Sequence, residues 1–390
     1  MDFALTEIQQ DIRKSIQKLC KSFPREYWRE KDALQKFPYE FWKALAQAGW
    51  LGIVVPEKYG GSGLGMTEMA VMIQELAACG SGSVSAFLLI LTPVFGGITI
   101  NKYGTQEQKE KYLAMMVSGE AEFALALTEP DAGSNSFDIK TFAKKEENAF
   151  FINGQKAFIS GVDRASSVIV VARTTQKEKV SKSTHGISLF IVDLDKTDGV
   201  EFKPIDKCGI NLSKTSMFYL DDVEVSIKDL IGELDGGWPV LVDTLNAERI
   251  VAAAGCIGAG ELAMKMACQY ATEREVFDRP IGSNQGIQFP LAALKAELEA
   301  VTMLMYKATW LYDQGMPCAI EADMSKYLAG DIAWRIADQA MQTFGGYGYA
   351  KEYDIERLWR DLRLFRIGPV SQEMSLSFIA HHALRLPRAY

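Results

Sequence analysis

The sequence predicts an α+β protein in three successive parts: a helical N-terminal domain over residues 1–120, a β-domain over 121–230 and a helical bundle over 231–390. Three observations predict it. Apolar residues recur every three to five positions in the first third. Short apolar or alternating runs, separated by turn residues, fill the middle. Four long helix-period stretches occupy the last part, which suits an antiparallel bundle.

In the first part, Phe3, Ile8, Ile12, Ile16 and Leu19 mark one apolar helix face, and Phe41, Leu45 and Ala48 a second helix. Tyr59-Gly60-Gly61-Ser62-Gly63 is a loop. Helices follow over Met66–Ala78 and Ser83–Lys102. Thr105, with Gln108 three residues on, reads as the N-cap of a short helix over Glu107–Val117. Strands are expected over Phe123–Leu127, Ala149–Ile152, Ser167–Ala172, Ile187–Val192 and Met217–Leu220, as a small barrel or sandwich. Turns such as Asn153-Gly154 separate them, and Thr174–Ser183 reads as an exposed, mobile hairpin loop. The bundle helices are Trp238–Glu273, Gln288–Gln314, Ile320–Gly345 and one starting near Gln372. Each glycine inside the first of these costs about 1 kcal/mol relative to alanine, so Gly255, Gly258 and Gly260 suggest close helix packing. The Met-rich stretches at Met66, Met69, Met72, Met264 and Met266 read as core.

The 390 residues can bury a large core. Apolar residues make up 48% and charged residues 24%, with net charge −8, as in an ordinary soluble enzyme. No basic stripe invites nucleic acid. No run of about 20 apolar residues predicts a membrane span. Six cysteines without a C-x-x-C or zinc spacing read as reduced, mostly buried thiols, and no metal site is expected. Of three histidines, His381 and His382 read as surface positions. The first residues show neither a secretory nor an Arg-rich transit pattern.

Two segments carry the chemistry. Thr128-Glu129-Pro130-Asp131-Ala132-Gly133-Ser134 and Asn153-Gly154-Gln155-Lys156-Ala157-Phe158-Ile159-Ser160 set small, hydroxylated and turn-forming residues at strand ends. Such loops bring N–H and O–H groups close to a flat ligand. A third segment runs from Arg274 through Phe277 to Gln285, and a fourth is Gln342-Thr343-Phe344-Gly345-Gly346-Tyr347-Gly348. A guanidinium suits a diphosphate, and glycines permit close approach.

Together these segments resemble the acyl-CoA dehydrogenase family over essentially the whole chain. The resemblance implies that family's fold, FAD as cofactor and an acyl-CoA substrate. It places Leu125, Thr128, Gly133, Ser134, Phe158, Ile159 and Ser160 at the flavin. It places Arg274, Phe277, Gln285, Gln342, Gly345 and Gly346 at the pyrophosphate and adenosine of a neighbouring subunit's FAD, and Ser371 at the cofactor. Asp131 stands where the family often has glycine and is expected to cap its turn. The family's usual loop glutamate is missing, because Pro369 stands there and can neither take a proton nor donate an N–H. The isovaleryl and long-chain branches instead carry the base in an E-R pair on the first bundle helix. Glu248-Arg249 supplies that pair, so Glu248 is the expected base, with Asn246, Arg249 and Ser134 toward the substrate. Without the resemblance, Glu248 would read as a solvated helix carboxylate.

The implied reaction is α,β-desaturation of an acyl-CoA with electrons passed to an electron-transfer flavoprotein, by a homotetramer in a bacterial cytoplasm. A processed mitochondrial matrix protein would look the same. The tail from Leu386 to Tyr390 resembles a bacterial subgroup. Pro369 leaves open an acyl-CoA oxidase, desulfinase or nitroalkane oxidase on the same scaffold. A non-catalytic binding protein is the third class.

Overall fold

Helix α1 (Glu7–Cys20) begins where the Thr6 hydroxyl accepts from the Gln9 N–H and the Gln9 side chain accepts from the Thr6 N–H. In this computed structural model, which describes residues 4–388, Ile12 and Ile16 face the core and Ile8 does not, at 57% exposure. Phe3 and the last two residues of the tail lie outside the described residues. Helix α2 (Arg25–Leu34) escaped the periodicity because it is mostly charged. Trp28 anchors it, fully buried, with its indole N–H donating to the Phe23 carbonyl. Helices α3 (Tyr39–Gln47) and α4 (Met66–Leu76) complete this layer, with Met66, Met69 and Met72 in the core.

The expected single helix over Ser83–Lys102 is broken. It consists of α5 (Val84–Leu89), a π-helical stretch over Ile90–Ile98 and α6 (Thr99–Tyr103). Pro93 lies inside the stretch and removes a donor from the helical ladder. The wider turn seats this segment against the β-domain, where the Phe123 N–H donates to Thr92 Oγ1 at 2.9 Å. Helix α7 (Gln106–Ser118) starts at Thr105 with the reciprocal Thr105–Gln108 bonds that the sequence predicts.

The β-domain comprises β1 (Phe123–Ala126), β2 (Phe142–Glu146), β3 (Ala149–Ser160), β4 (Ser167–Arg173), β5 (Ile187–Asp193), β6 (Val200–Pro204), β7 (Thr215–Ser226) and β8 (Leu230–Ile231). The sheet order is β6-β7-β3-β2-β4-β5-β8, with β1 beside β4. Strand alternation splits β4 and β5 between two cores. Val168, Val170, Phe190 and Val192 pack with Phe150 and Phe218 of β3 and β7. Ile169, Val171, Leu189 and Ile191 pack with α7 and with Leu241 of the bundle. Asn153-Gly154 is not the expected turn. It lies within β3, at a register shift opposite β7, and Gly154 is needed because a Cβ would stand 2.4 Å from Thr141 Oγ1. The connection from β4 to β5 is exposed, and Arg173 holds its far end through the Ser183 carbonyl.

The bundle has α8 (Gly237–Glu273), α9 (Gln285–Asp313) and α10 (Ala319–Phe344) as its long members. A two-strand hairpin, β9 (Glu275–Val276) and β10 (Arg279–Pro280), joins α8 to α9. Helix α11 (Ile355–Arg363), strongly amphipathic and charged on its outer side, was not expected, and α12 (Gln372–His382) is short. Two further expectations need correction. Val84–Tyr103 and part of α8 do reach the composition of a membrane span, but 89% of each window is buried inside the protein. Only Cys256 and Cys318 of the six free cysteines are buried.

The glycines of α8 are there for packing. A Cβ on Gly258 would stand 2.1 Å from the Gln74 carbonyl oxygen of α4, and one on Gly255 would stand 2.2 Å from the Ala86 Cβ. Gly260 has room, with its nearest neighbour at 3.4 Å. Overpacking a core costs about 1–3 kcal/mol, whereas glycine to alanine in a helix otherwise gains about 1 kcal/mol. Gly258→Ala is therefore expected to lower the melting temperature of the purified protein and Gly260→Ala to leave it or raise it. The reverse order in a thermal scan would sink this account.

Candidate functional site

The turn after β1 and the end of β3 are fastened by a buried ion pair. Lys156 is fully buried, and its Nζ donates to Glu129 Oε1 at 2.8 Å and to the Leu127 carbonyl at 3.0 Å. Glu129 also accepts the N–H groups of Lys140 and Thr141. Burial pushes the Lys156 ammonium down to about 8 despite Glu129. Burial alone would raise the Glu129 carboxyl, yet Lys156 and the Lys140 N–H hold it below its ordinary value. The Ala157 N–H donates to the Thr128 carbonyl at 2.8 Å, so the two segments run side by side.

Above this tie stand the residues expected at the flavin. Thr128 is half-buried, Gly133 and Ser134 are exposed, and nothing lies within 4 Å of a Cβ placed on Gly133. Leu125 touches both the helical core and the β-domain core, at the junction of the parts. Phe158 is 65% exposed with φ 59°, at a register shift between Lys156 and Ile159. A left-handed aromatic residue costs about 1–3 kcal/mol and clusters at functional sites. The Ser160 hydroxyl is within 3.0 Å of Thr215 Oγ1. One position offers only its backbone and one expectation fails here. The Ile159 side chain is buried in the β core, leaving only its backbone for a ligand. Asp131 does not cap its turn; it pairs with Lys140 at 2.9 Å, while backbone bonds between Glu129 and Ala132 close the turn.

The second set gathers at the far end of the bundle. Stacked rings of Tyr270 and Phe344, 4.1 Å apart, bring the ends of α8 and α10 together. Arg274, Gln285, Gln342, Gly345 and Gly346 are exposed there. Phe277 and Asp278 form a two-residue hairpin turn with φ 53° and 61°, and Phe277 is 93% exposed. Such a turn ordinarily takes Asn-Gly. Cβ positions on Gly345 and Gly346 face open space.

The third set lies on α8. Glu248 is 5% exposed, and its Oε2 has no hydrogen-bond partner. Burial pushes its carboxyl up to about 7, against Arg249 and Lys326, which favour the charged form. Asn246 Oδ1 accepts from Arg249 Nη1 at 3.0 Å, and Arg249 Nε lies 3.4 Å from Asp323 Oδ1 on α10. Arg249 is thus turned toward α10 as well as toward the crevice. Ser371 caps α12 by accepting the Met374 N–H, which leaves its hydroxyl proton to donate. The sequence reading missed Glu129, Lys156, Asp323 and Lys326. Only Asp323, between Ala322 and Met324 on a helix, carried a signal of its own, a charge flanked by apolar residues.

An unpartnered buried carboxylate, two left-handed exposed aromatics and open glycine cradles fit a flat dinucleotide and a proton-abstracting base. Three family models match the chain: the acyl-CoA dehydrogenase N-terminal domain over residues 6–120, the middle domain over 124–223 and the C-terminal domain over 235–384. The chain belongs to the acyl-CoA dehydrogenase family. It is an FAD-dependent oxidoreductase acting on CH–CH bonds. It is 37% identical over 390 residues to acyl-CoA dehydrogenase FadE12 of Mycobacterium tuberculosis, covering 100% of this chain and 99% of that one. It is 38% identical over 381 residues to the 3-(aryl)acrylate reductase of Clostridium sporogenes, covering 97% and 99%. The solved butyryl-CoA dehydrogenase of Megasphaera elsdenii superposes with a TM-score of 0.93 at 34% identity, covering 99% of this chain and 100% of that one.

Removing one partner of a buried ion pair costs about 3–5 kcal/mol, because the other charge stays buried and unpaired. Lys156→Met is expected to lose about that much and to lose flavin on gel filtration. Adding Glu129→Gln should recover part of the loss. Additive losses in thermal scans would show that the two side chains do not act as a pair.

Proposed function

We propose that the chain desaturates an acyl-CoA thioester between Cα and Cβ, with Glu248 as the base. When bound, FAD supplies the acceptor for the β-hydride. The chain's own part is the α-proton. Glu248 takes it through an oxygen that no other group occupies, and the Cα–H bonding pair becomes part of the new double bond. The product carboxylic acid is neutral, the form that burial favours. A group near 7 also suits a base that works near neutral pH. The unpartnered, buried Glu248 carboxylate on a helix facing the junction of the three parts is the observation that carries this reading.

Thr128, Gly133, Ser134 and Ser160 offer hydroxyl and backbone donors to the flavin ring, with Phe158 against it and Leu125 beneath the junction. Asn246 and Arg249, with Ser134, hold the CoA thioester. Arg274, Phe277, Gln285 and the Gln342–Gly346 loop hold the diphosphate and adenosine of a neighbour's cofactor. Helix geometry supports that division. Glu248 and Arg274 are 26 positions apart along α8, which is about 39 Å at 1.5 Å per residue. That exceeds the reach of one dinucleotide, so each site takes residues from two subunits. The reading includes a homotetramer, an electron-transfer flavoprotein as acceptor and a cytoplasmic setting.

The reverse direction has its own support in the relative named as an acrylate reductase. Near neutrality Glu248 is partly protonated and can deliver a proton to Cα.

Glu248→Gln keeps shape and removes the basic electron pair. It is expected to retain FAD and to slow anaerobic bleaching by acyl-CoA thioesters about 10²–10⁴-fold. In the wild type the base must be ionised, so the bleaching rate should rise with pH through about 7. Bleaching of the variant at the wild-type rate would remove Glu248 from the mechanism. Light scattering should give four chains per particle, and a monomer at micromolar concentration would contradict the shared site.

A further inference from the structure

Two neighbouring residues of α8 face two residues on one turn of α10. Glu248 and Arg249 stand on one side and Asp323 and Lys326 on the other. Three of the four are buried and Arg249 nearly so. Their charges alternate. Arg249 pairs with Asp323 at 3.4 Å, and Lys326 acts on Glu248 as the cation from the opposite helix. Lys326 is fixed in place, because its Nζ donates to the Val370 carbonyl in the loop just after Pro369. Asp323 is fixed too, by the Ser375 hydroxyl of α12 at 3.1 Å.

We propose that Lys326 is a positioning residue for the base: pinned by the Val370 carbonyl, its ammonium is held where its field favours the ionised Glu248 carboxylate, in an enzyme whose 368–371 loop carries no acid of its own. This rests on the reading of Glu248 as the base. The ammonium has no carboxylate bonded to it, so its field is left for Glu248. With all four groups charged the quartet is neutral, and without Lys326 the carboxylate would face burial with Arg249 alone, itself already paired to Asp323. Burial lowers the Lys326 ammonium to about 8, still above the value of about 7 to which burial raises Glu248, so Lys326 is largely cationic at the midpoint of Glu248.

The other charged groups nearby are accounted for. On α8, Cys256 faces Lys326, and burial pushes its thiol up, so it stays neutral. From α12, His382 acts on Asp323. On α11, Arg357 and Asp361 lie 3.9 Å apart. Glu261, further along α8, accepts from Gln74 of α4.

The test needs no substrate. The stretch of the protonated Glu248 carboxyl, identified by its absence in Glu248→Gln, is titrated in the FAD-loaded enzyme by infrared difference spectroscopy. Lys326→Met keeps the length of the side chain and removes the charge. It should move the Glu248 midpoint up by about one pH unit or more, as loss of a close opposite charge does. Lys326→Arg should bring it back toward the wild type. Asp323→Asn removes a negative charge from the same quartet and should move the midpoint down. Opposite shifts are an electrostatic signature that loosened packing does not produce. The rising limb of anaerobic bleaching by butyryl-CoA, isovaleryl-CoA or 3-phenylpropionyl-CoA should move with the midpoint. An unmoved midpoint in Lys326→Met, or a downward one, overturns the proposal. If that variant does not fold, an unmoved or raised midpoint in Asp323→Asn overturns it equally. Failure of the base reading is seen separately, as a Glu248→Gln enzyme that still bleaches at the wild-type rate.

Discussion

The cofactor side of this molecule depends on one buried ion pair. Lys156 and Glu129 come from different segments, and neither touches solvent to any extent. Between them they collect the Leu127 carbonyl and the N–H groups of Lys140 and Thr141. Five backbone or side-chain groups are thereby satisfied in a region that regular strand pairing does not reach. A pair of this kind adds little net stability compared with apolar residues of the same volume. What it supplies is geometry. The turn at Thr128–Ser134 and the bulge at Phe158 take fixed places relative to each other, and the exposed hydroxyls and ring follow.

Helix α8 imposes the second constraint. It runs from the junction of the three parts to the far end of the bundle. Its glycines let α4 and α5 approach its backbone closely, so Glu248 is set among neighbours packed at near-contact distance. Ala252, Ala253, Ala254, Gly255 and Gly258 are buried in the same core. Burial raises Glu248. The same helix is capped at Arg274, and its length sets Glu248 and Arg274 26 positions apart.

Much of this was legible in the sequence, for identifiable reasons. The near-continuous apolar runs of β4 and β5, buried on both faces, and the Thr105–Gln108 capping pair are local signals, and the structure keeps them. Three of the four motif segments fall on turns and element ends, and the fourth, Asn153–Ser160, is the irregular second half of β3. Helix α2 was not legible, because a single tryptophan buries it and leaves no apolar stripe. The π-helical stretch over Ile90–Ile98 was not legible either, since an all-apolar segment has no period to read. Asn153-Gly154 looked like a hairpin turn, and tertiary contact with Thr141 made it a bulge instead. The charges at Lys156, Asp323 and Lys326 were visible but unassigned, because pairing across elements leaves no trace in spacing.

Local rules fail in this chain at several places; some of the failures fall in the candidate site, and others, such as the left-handed Gln35, Ile210 and Asp354, lie outside it. Phe158 and Phe277 take left-handed backbone, which an aromatic residue does not take without strain, whereas Asp278 beside Phe277 is of a type that tolerates it. Phe158 and Phe277 also expose large apolar rings that folding alone would bury. Glu248 keeps a buried oxygen without a partner. Each feature works against the stability of the isolated chain. On the proposed function, a flat aromatic cofactor would cover each exposed ring, and the base would keep an oxygen free for the proton it takes. Sequences that specify one fold agree at every level except where function requires otherwise. In this chain some of the exceptions lie at Phe158, at the tip of the α8–α9 hairpin and at one carboxylate of α8.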